Sequence, residues 1–433
     1  MHGSIGSLSI AKIKESIDNI AVSTALKQSG VTREFVDSYL VSASEFASSK
    51  IESYVEEFTT LRVAPVLRDL VPGVILPLTR NLDIDGFGAG VHAALSNLAI
   101  SGYTLRVRRD DRVVYTLIWN WARRPQDGNP KGWQTNVKMH VASVSKLVTS
   151  MAIVKKMTEL NLSFDTPIVG YLPAYLTKGA HVDKITFRHL LTHRSGFRRN
   201  SSGGPNDGYT YTDLKALLAN GVGLANIGAW HYHNGNFIAL RVLLAVLTGR
   251  LDINQRLNIG GFMDLSDVLW DTVSINNYTD YVSNNVLMPS FCQASLTPAA
   301  DGSLAYATDL SLNGWLANAS PSAGTAGWWF SCDEICNIMN TYWRSDAIVP
   351  KTVARRALRA GFGVDDPDGW QFHKRQPDCF MKGGYWSDGA GKTQQCVVAF
   401  APRNVEIAVF VNSPITNSNI FRIVANQLAA NLR

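Results

Sequence analysis

The sequence predicts an α+β fold, one sheet assembled from two distant parts of the chain with a helical subdomain inserted between them. Three observations predict it. Strand-like runs GYTLRVRR and RVVYTLIWNWA lie near residue 110, and CVVAFAP and VEIAVFVNS lie near residue 400. From 141 to about 250, apolar residues recur at helical spacing. The 433 residues, 46% hydrophobic and 18% charged, suffice for a large core and more than one domain.

Taken in order, SIAKIKESIDNIAVSTALKQ ends at Ser29-Gly30 and reads as an amphipathic helix, as does VTREFVDSYLVSASEFASSKIESYVEEF. Segment 61–80 is more apolar but is broken by Pro65, Pro72 and Pro77. Residues 1–82 are therefore expected to be a helical extension, and 83–433 the main domain. The apolar faces of the extension need cover, either on the chain's own main domain or in a homodimer. Asp110-Asp111 reads as a hairpin turn, with sheet expected over about 100–120 and 378–412. The helical subdomain is expected over about 146–340, with loops at 161–187 and 198–210. Segment 251–325, rich in Asn, Asp and Ser, reads as loops around short helices. Lys382-Gly383-Gly384 reads as a turn before a strand, and helix 416–432 closes the pattern.

The formal charge of +6 is scattered in small clusters such as Arg106, Arg108 and Arg109. No Lys/Arg block or nucleic-acid motif occurs, so no nucleic-acid partner is expected. No apolar run reaches the ~18 residues of a membrane span. The first twenty residues lack the basic-then-apolar pattern of a signal peptide. Cys292, Cys332, Cys336, Cys379 and Cys396 are odd in number and form no CxxC pair, which reads as reduced thiols in the cytoplasm. A Cys379–Cys396 bridge across a hairpin is the alternative.

Ser-x-x-Lys occurs twice, at Ser9/Lys12 and Ser143/Lys146. The first sits at a helix entry without a partner motif and reads as a cap with a solvent-facing Lys. The second opens a strongly apolar helix. There a Ser would lie near free backbone N–H groups, and a Lys one turn on would be desolvated and its neutral form favoured. Such a Lys can accept the Ser proton, which makes an activated nucleophile. The competing reading is an N-cap Ser with a surface Lys. Two other stretches bear on the choice: WHYHNGNF, with Tyr232 and Asn234, and FMKGGY, with Lys382, Gly383, Gly384 and Tyr385. By themselves Tyr232 could be a core aromatic and Lys382 a solvated hairpin residue. Gly389–Thr393 resembles the end of a P-loop, but Trp386 stands where the first Gly is required. His231 and His233 lack Asp, Glu or Cys partners at ligand spacing, so no metal is expected.

The order Ser-x-x-Lys, Tyr-x-Asn, Lys-Gly-Gly resembles that of the serine β-lactamase/penicillin-binding-protein superfamily, nearest its class C β-lactamase and family VIII esterase branch. VASVSKLVTS, LSFDTPIVGYLPAY, ITFRHLLTHRSGF and AGWWFSCDEI resemble family segments too, and the resemblance covers about residues 85–433. It implies a β-lactamase-like antiparallel sheet flanked by helices. It implies Ser143 as the acylated nucleophile, with Lys146 and Tyr232 sharing base and acid duty. Asn234 would orient Lys146 or the substrate, and Lys382 would supply positive charge. The oxyanion hole would be the N–H groups of Ser143 and Tyr385. His193 falls in a structural segment and is expected to anchor a loop.

One departure matters. Gly383 stands where β-lactam enzymes carry Thr or Ser, whose hydroxyl helps hold a substrate carboxylate. A lost hydrogen bond to a charged group costs about 1.5–3 kcal/mol. The resemblance with this departure implies an esterase without cofactor, ahead of a D-amino peptidase, an acyltransferase and a weak β-lactamase. A catalytically inactive binding or scaffold protein is the alternative of another class. Trp230, Trp328, Trp329 and Trp386 flank the site segments and could line an acyl pocket or simply pack the core.

Overall fold

The computed structural model describes residues 81–198, 208–259, 263–365 and 379–433. The helices expected over 8–58 and the stretch 61–80 lie outside the described residues. The described residues fall in two compact units: Asn258–Asp264 belongs to one, and all the others to the second. In the first, Asn258–Ile259 pairs antiparallel with Met263–Asp264.

The second unit is an α+β domain. Its strands are β1 (Gly102–Arg109), β2 (Arg112–Arg123), β3 (Lys131–Gly132), β4 (Met139–His140), β5 (Trp329–Phe330), β6 (Phe380–Ser387), β7 (Thr393–Ala401) and β8 (Val405–Val411). Six of them form an antiparallel sheet in the order β3-β2-β1-β8-β7-β6, and β4 pairs with β5 apart from it. The two ends of the sequence pattern thus meet where β1 pairs with β8, in the register Leu105↔Val409. The β1–β2 turn is the expected one: Asp110 and Asp111 both take positive φ, which a tight hairpin requires and which Asp tolerates.

Alternation along β7 and β8 splits the core in two. Val397, Ala399, Val405, Ile407 and Val409 face one side, where α1 (Ile84–Leu95) contributes Phe87 and Val91 and α9 (Ile420–Asn431) contributes Val424 and Leu428. Val398, Phe400, Ala408 and Phe410 join the larger core on the other side. That side holds α2 (Ser145–Glu159), α3 (Phe187–Leu191), α4 (Tyr211–Asn220), α5 (Gly235–Leu247), α6 (Ser266–Val282), α7 (Cys332–Arg344) and α8 (Lys351–Arg359). With both faces covered, every residue of β7 and β8 is buried, which is why they read as mostly apolar runs, interrupted in β8 only by Glu406 and preceded in β7 by Thr393-Gln394-Gln395.

Three expectations are corrected. Segment 251–325 contains α6, a 17-residue helix. Its buried face is Trp270, Ser274, Tyr278 and Val282, and the polar members disguise the four-residue spacing. Lys382-Gly383-Gly384 is not a turn but lies inside β6, paired with Val398, Val397 and Cys396 of β7. The turn falls later, where Asp388 Oδ1 accepts from the N–H groups of Ala390 and Lys392 in the P-loop-like stretch. Finally, Cys396 lies opposite Gly384, five residues from Cys379, so the hairpin cannot bridge them, and all five cysteines are free and buried. The basic cluster near 108 has intramolecular partners: Arg106 pairs with Asp333 at 2.6 Å, and Arg108 donates to Asn337. Among the described residues no helix is long and apolar enough to cross a membrane.

Candidate active site

The nucleophile segment begins at β4. After His140 the chain turns through a 3-10 stretch, Ala142–Val144, into α2. Ala142 holds φ +46°, a left-handed conformation that costs a residue with a Cβ about 1–2 kcal/mol. The turn leaves Ser143 half-buried while Val144 and every residue of α2 from Ser145 to Val154 are buried. The helix is therefore enclosed on all sides, not along one stripe as its pattern suggests.

Three residues on, Lys146 is fully buried and donates to Ser143 Oγ at 3.0 Å and to the carbonyl of Thr325 at 2.8 Å. The chain around Thr325 is laced to α2 turn by turn. Trp328 N–H donates to Ser145 Oγ, and Thr149 Oγ1 donates to the carbonyl of Gly324 at 2.6 Å. Burial holds the Lys146 amine well below the ordinary lysine value; the positive charge of Lys382 pushes the same way, and Asp365 partly opposes both. Its neutral form, which carries a lone pair, is thereby favoured.

Tyr232 arrives from the loop before α5. Its hydroxyl is 2.6 Å from Ser143 Oγ. His193, at φ +57°, holds this loop: its Nδ1 accepts from His233 N–H at 3.2 Å, and its carbonyl accepts from His231 N–H at 2.8 Å. The imidazole lies 4.4 Å from the Tyr232 ring, centroid to centroid. Burial first, then the two lysines, depress its pKa, so it stands neutral as the expected anchor. Asn234 stands just before α5 without a side-chain capping bond, and its Oδ1 accepts from Thr325 Oγ1 at 3.1 Å. Its link to Lys146 therefore runs through Thr325.

The third motif closes the site. Lys382 is buried, with its Nζ 5.0 Å from the Tyr232 ring centroid; Lys146 Nζ is 5.1 Å from the same ring. Lys382 donates to Asp365 Oδ1 at 2.6 Å, and Gly383 N–H donates to Asp365 Oδ2 at 2.8 Å. Asp365 N–H in turn donates to the carbonyl of Met381 at 2.8 Å. β6 is an edge strand, and its free edge packs against the Ala142–Val144 turn. Because Gly383 turns its N–H away from β7, strand alternation turns the Tyr385 N–H to the same free edge. The Tyr385 side chain is exposed. Gly384 allows the close approach: a Cβ there would run into the carbonyl oxygen of Val141 and lie 2.7 Å from Cys396 Sγ.

The fold thus gathers Ser143, Lys146, Tyr232, Asn234, Lys382, Gly383 and Gly384 from three separate segments, with the Tyr385 amide on the free edge of β6. Trp328 and Trp329 are core residues, fully buried. Trp386 is half-buried between His140 and Tyr209, edge-on to each at 5.1 Å and 5.6 Å, and Trp230 is half-buried. Reading the sequence missed Asp365 and Thr325. Thr325 directly precedes the family-like AGWW stretch, which marks it in hindsight. Asp365, in GVDDPDG, carries no spacing signal toward Lys382.

Comparison with known proteins bears on the family and the fold. The sequence profile of the Beta-lactamase family matches residues 89–431. Esterase EstB of Burkholderia gladioli is 24% identical over 332 residues, covering 68% of this chain and 81% of that protein. A second curated relative is 35% identical over 78 residues, and the chain spans only 22% of its length. Among solved structures, the octameric penicillin-binding protein homologue from Pyrococcus abyssi superposes with a TM-score of 0.57 at 17% identity, covering 81% of this chain and 77% of that one. EstCE1, described as a hydrolase with promiscuous acyltransferase activity, also gives 0.57 at 17% identity, covering 80% of this chain and 98% of that one. The profile spans most of the chain, and the fold and the motif order agree with it: this chain belongs to the Beta-lactamase family, within the serine β-lactamase/penicillin-binding-protein superfamily.

Proposed function

We propose that this chain is a serine hydrolase that cleaves esters through an acyl-Ser143 intermediate, a carboxylesterase working without a cofactor. One observation carries the reading: Ser143 Oγ lies within hydrogen-bond reach of both Tyr232 and a buried Lys146. Ser143 Oγ attacks the ester carbonyl carbon while its proton passes into the Lys146/Tyr232 pair. The oxyanion is held by the N–H groups of Ser143 and Tyr385. The pair returns the proton to the leaving alkoxide, and the C–O bond breaks. Water then attacks the acyl-Ser143 carbonyl, gives its proton to the same pair, and Ser143 recovers it as the acid leaves. Asn234, through Thr325, keeps Lys146 in place, and Lys382 adds positive charge behind Tyr232. Gly383 lacks the hydroxyl that helps hold a β-lactam carboxylate, and the likeness to an esterase favours the same substrate class.

Intact mass spectrometry after incubation with p-nitrophenyl esters and β-lactams tests this. The expected result is rapid ester turnover, slow β-lactam adducts, and both acyl groups mapped to Ser143. Adducts elsewhere, or β-lactam turnover rivalling the best ester, would overturn it. The five buried, free thiols fit a reducing, cytoplasmic setting. The amphipathic pattern of residues 8–58 supports a homodimer through that segment. Light scattering should then give a dimer for the full chain and a monomer after deletion of residues 1–59; a monomeric full chain removes this part.

A further inference from the structure

Asp365 is a carboxylate paired with Lys382 beside the candidate site. Lys382 is fully buried, so its charge needs a partner. Asp365 supplies that partner with both oxygens engaged, one on Lys382 Nζ at 2.6 Å and the other on Gly383 N–H at 2.8 Å. Its own N–H is tied to Met381 O, so the carboxylate is fixed to the free edge of β6 at both its ends. A Cβ built on Gly383 would lie 3.5 Å from Asp365 Oδ2 and 3.0 Å from Phe421 Cδ2. The space that a residue-383 hydroxyl would enter is therefore bounded by a negative charge. A site with a cation, a free amide and a hydroxyl donor would attract an anion. Here the cation and the amide are already filled by the chain's own carboxylate, and the hydroxyl is absent.

We propose that Asp365 acts as an internal carboxylate that occupies the Lys382–Gly383 cradle and restricts this enzyme to acyl substrates without a free carboxylate. An incoming carboxylate would meet Asp365 as a like charge across a few ångströms, while the charge of Lys382 is already paired with Asp365. The inference rests on the acyl-serine reading for its substrate, but the selectivity it assigns belongs to Asp365 alone.

Two p-nitrophenyl esters of equal chain length test it, the pentanoate and the monoester of glutaric acid. Wild-type enzyme should favour the pentanoate in kcat/KM by about tenfold or more. Asp365→Asn, which keeps a hydrogen-bonding group but removes the charge, should shift that ratio toward the glutarate ester by about ten- to a hundredfold, chiefly through KM. An unchanged ratio in the active variant would overturn the proposal. Calorimetry with free glutarate gives a readout that needs no turnover and no variant. Wild type should not bind it at millimolar concentration. Binding there, competitive with the pentanoate ester, would equally overturn the proposal. If wild type turned over neither ester and Ser143 took up no acyl group, the acyl-serine reading would fall, and the glutarate binding measurement would still decide the role of Asp365.

Discussion

The two sides of the site are held by different means. On the nucleophile side, Ser143 and Lys146 lie three residues apart on one helix entry, and they are held by hydrogen bonds to uncharged partners, Tyr232, Thr325 and their neighbours. On the strand side, Lys382 and Gly383 are fixed by a charge, Asp365, seventeen residues before the lysine. The first arrangement desolvates an amine, and in the proposed mechanism that amine helps take up the proton. The second pairs a cation, and in the proposal it selects which substrates approach. On these proposed roles bond breaking and substrate choice are separable, and mutations on the two sides should fail in different ways.

The largest effect belongs to the nucleophile. Ser143→Ala should keep its melting temperature and lose ester turnover by roughly a thousandfold or more, because the covalent route is gone. A variant retaining a tenth of the wild-type rate would dissolve the distinction between the two sides.

Next come Lys146→Ala and Tyr232→Phe. Each should cost about 10²–10⁴ in kcat/KM, and the double variant little more, since both handle one proton. Additive losses in log rate would break the shared-proton reading. The pH profile carries a sign as well. Lys146 must be neutral to accept a proton, and its pKa is depressed, so turnover should rise with pH along an acid limb far below the ordinary lysine value of 10.5. An acid limb near that value would place the proton elsewhere.

Neighbouring glycines sharpen the comparison from the strand side. Gly384→Ala drives a Cβ into the Val141 carbonyl, so β6 must move away from the nucleophile turn. A shift of that kind should lower kcat about ten- to a hundredfold and cost about 1–3 kcal/mol of stability. Gly383→Ala makes one tight contact, with the edge of the Phe421 ring at 3.0 Å, which can yield, and an ordinary one with Asp365 Oδ2 at 3.5 Å, so its loss should stay within about tenfold. Equal losses at the two positions would argue that β6 is not pinned at Gly384.

The smallest effect is on stability alone. Glu406, inside the sheet on β8, donates nothing to the site; it accepts from Trp343 Nε1 at 2.6 Å. Burial pushes its carboxyl from the ordinary 4.5 up to about 7. The folded state therefore holds this proton more tightly than the unfolded chain. The stability it contributes is full below about pH 4.5 and is lost as pH rises through 7, a swing of about 3 kcal/mol. Glu406→Gln should be increasingly more stable than wild type between pH 5 and pH 8 in denaturant titrations, with ester turnover unaltered. A pH-independent difference would exclude a titrating Glu406.

What the sequence settled by itself is local. The Ser143/Lys146 pair, the Asp110-Asp111 hairpin and the apolar runs of β7 and β8 each rest on neighbours a few residues apart, and periodicity or turn chemistry exposes them. The likeness of ordered motifs then brought Tyr232, Asn234 and Lys382 to the same site, a step that spacing could not take. Tertiary structure decided the rest. Only packing shows that Lys-Gly-Gly is an edge strand, because glycines read as a turn until β7 pairs with them. Only packing shows that α6 is one helix, because its buried face includes Ser274 and Tyr278. And only packing brings Asp365 onto Lys382 and Gly383, since an ion pair leaves no periodic trace and is fixed by where two chain segments pass in space.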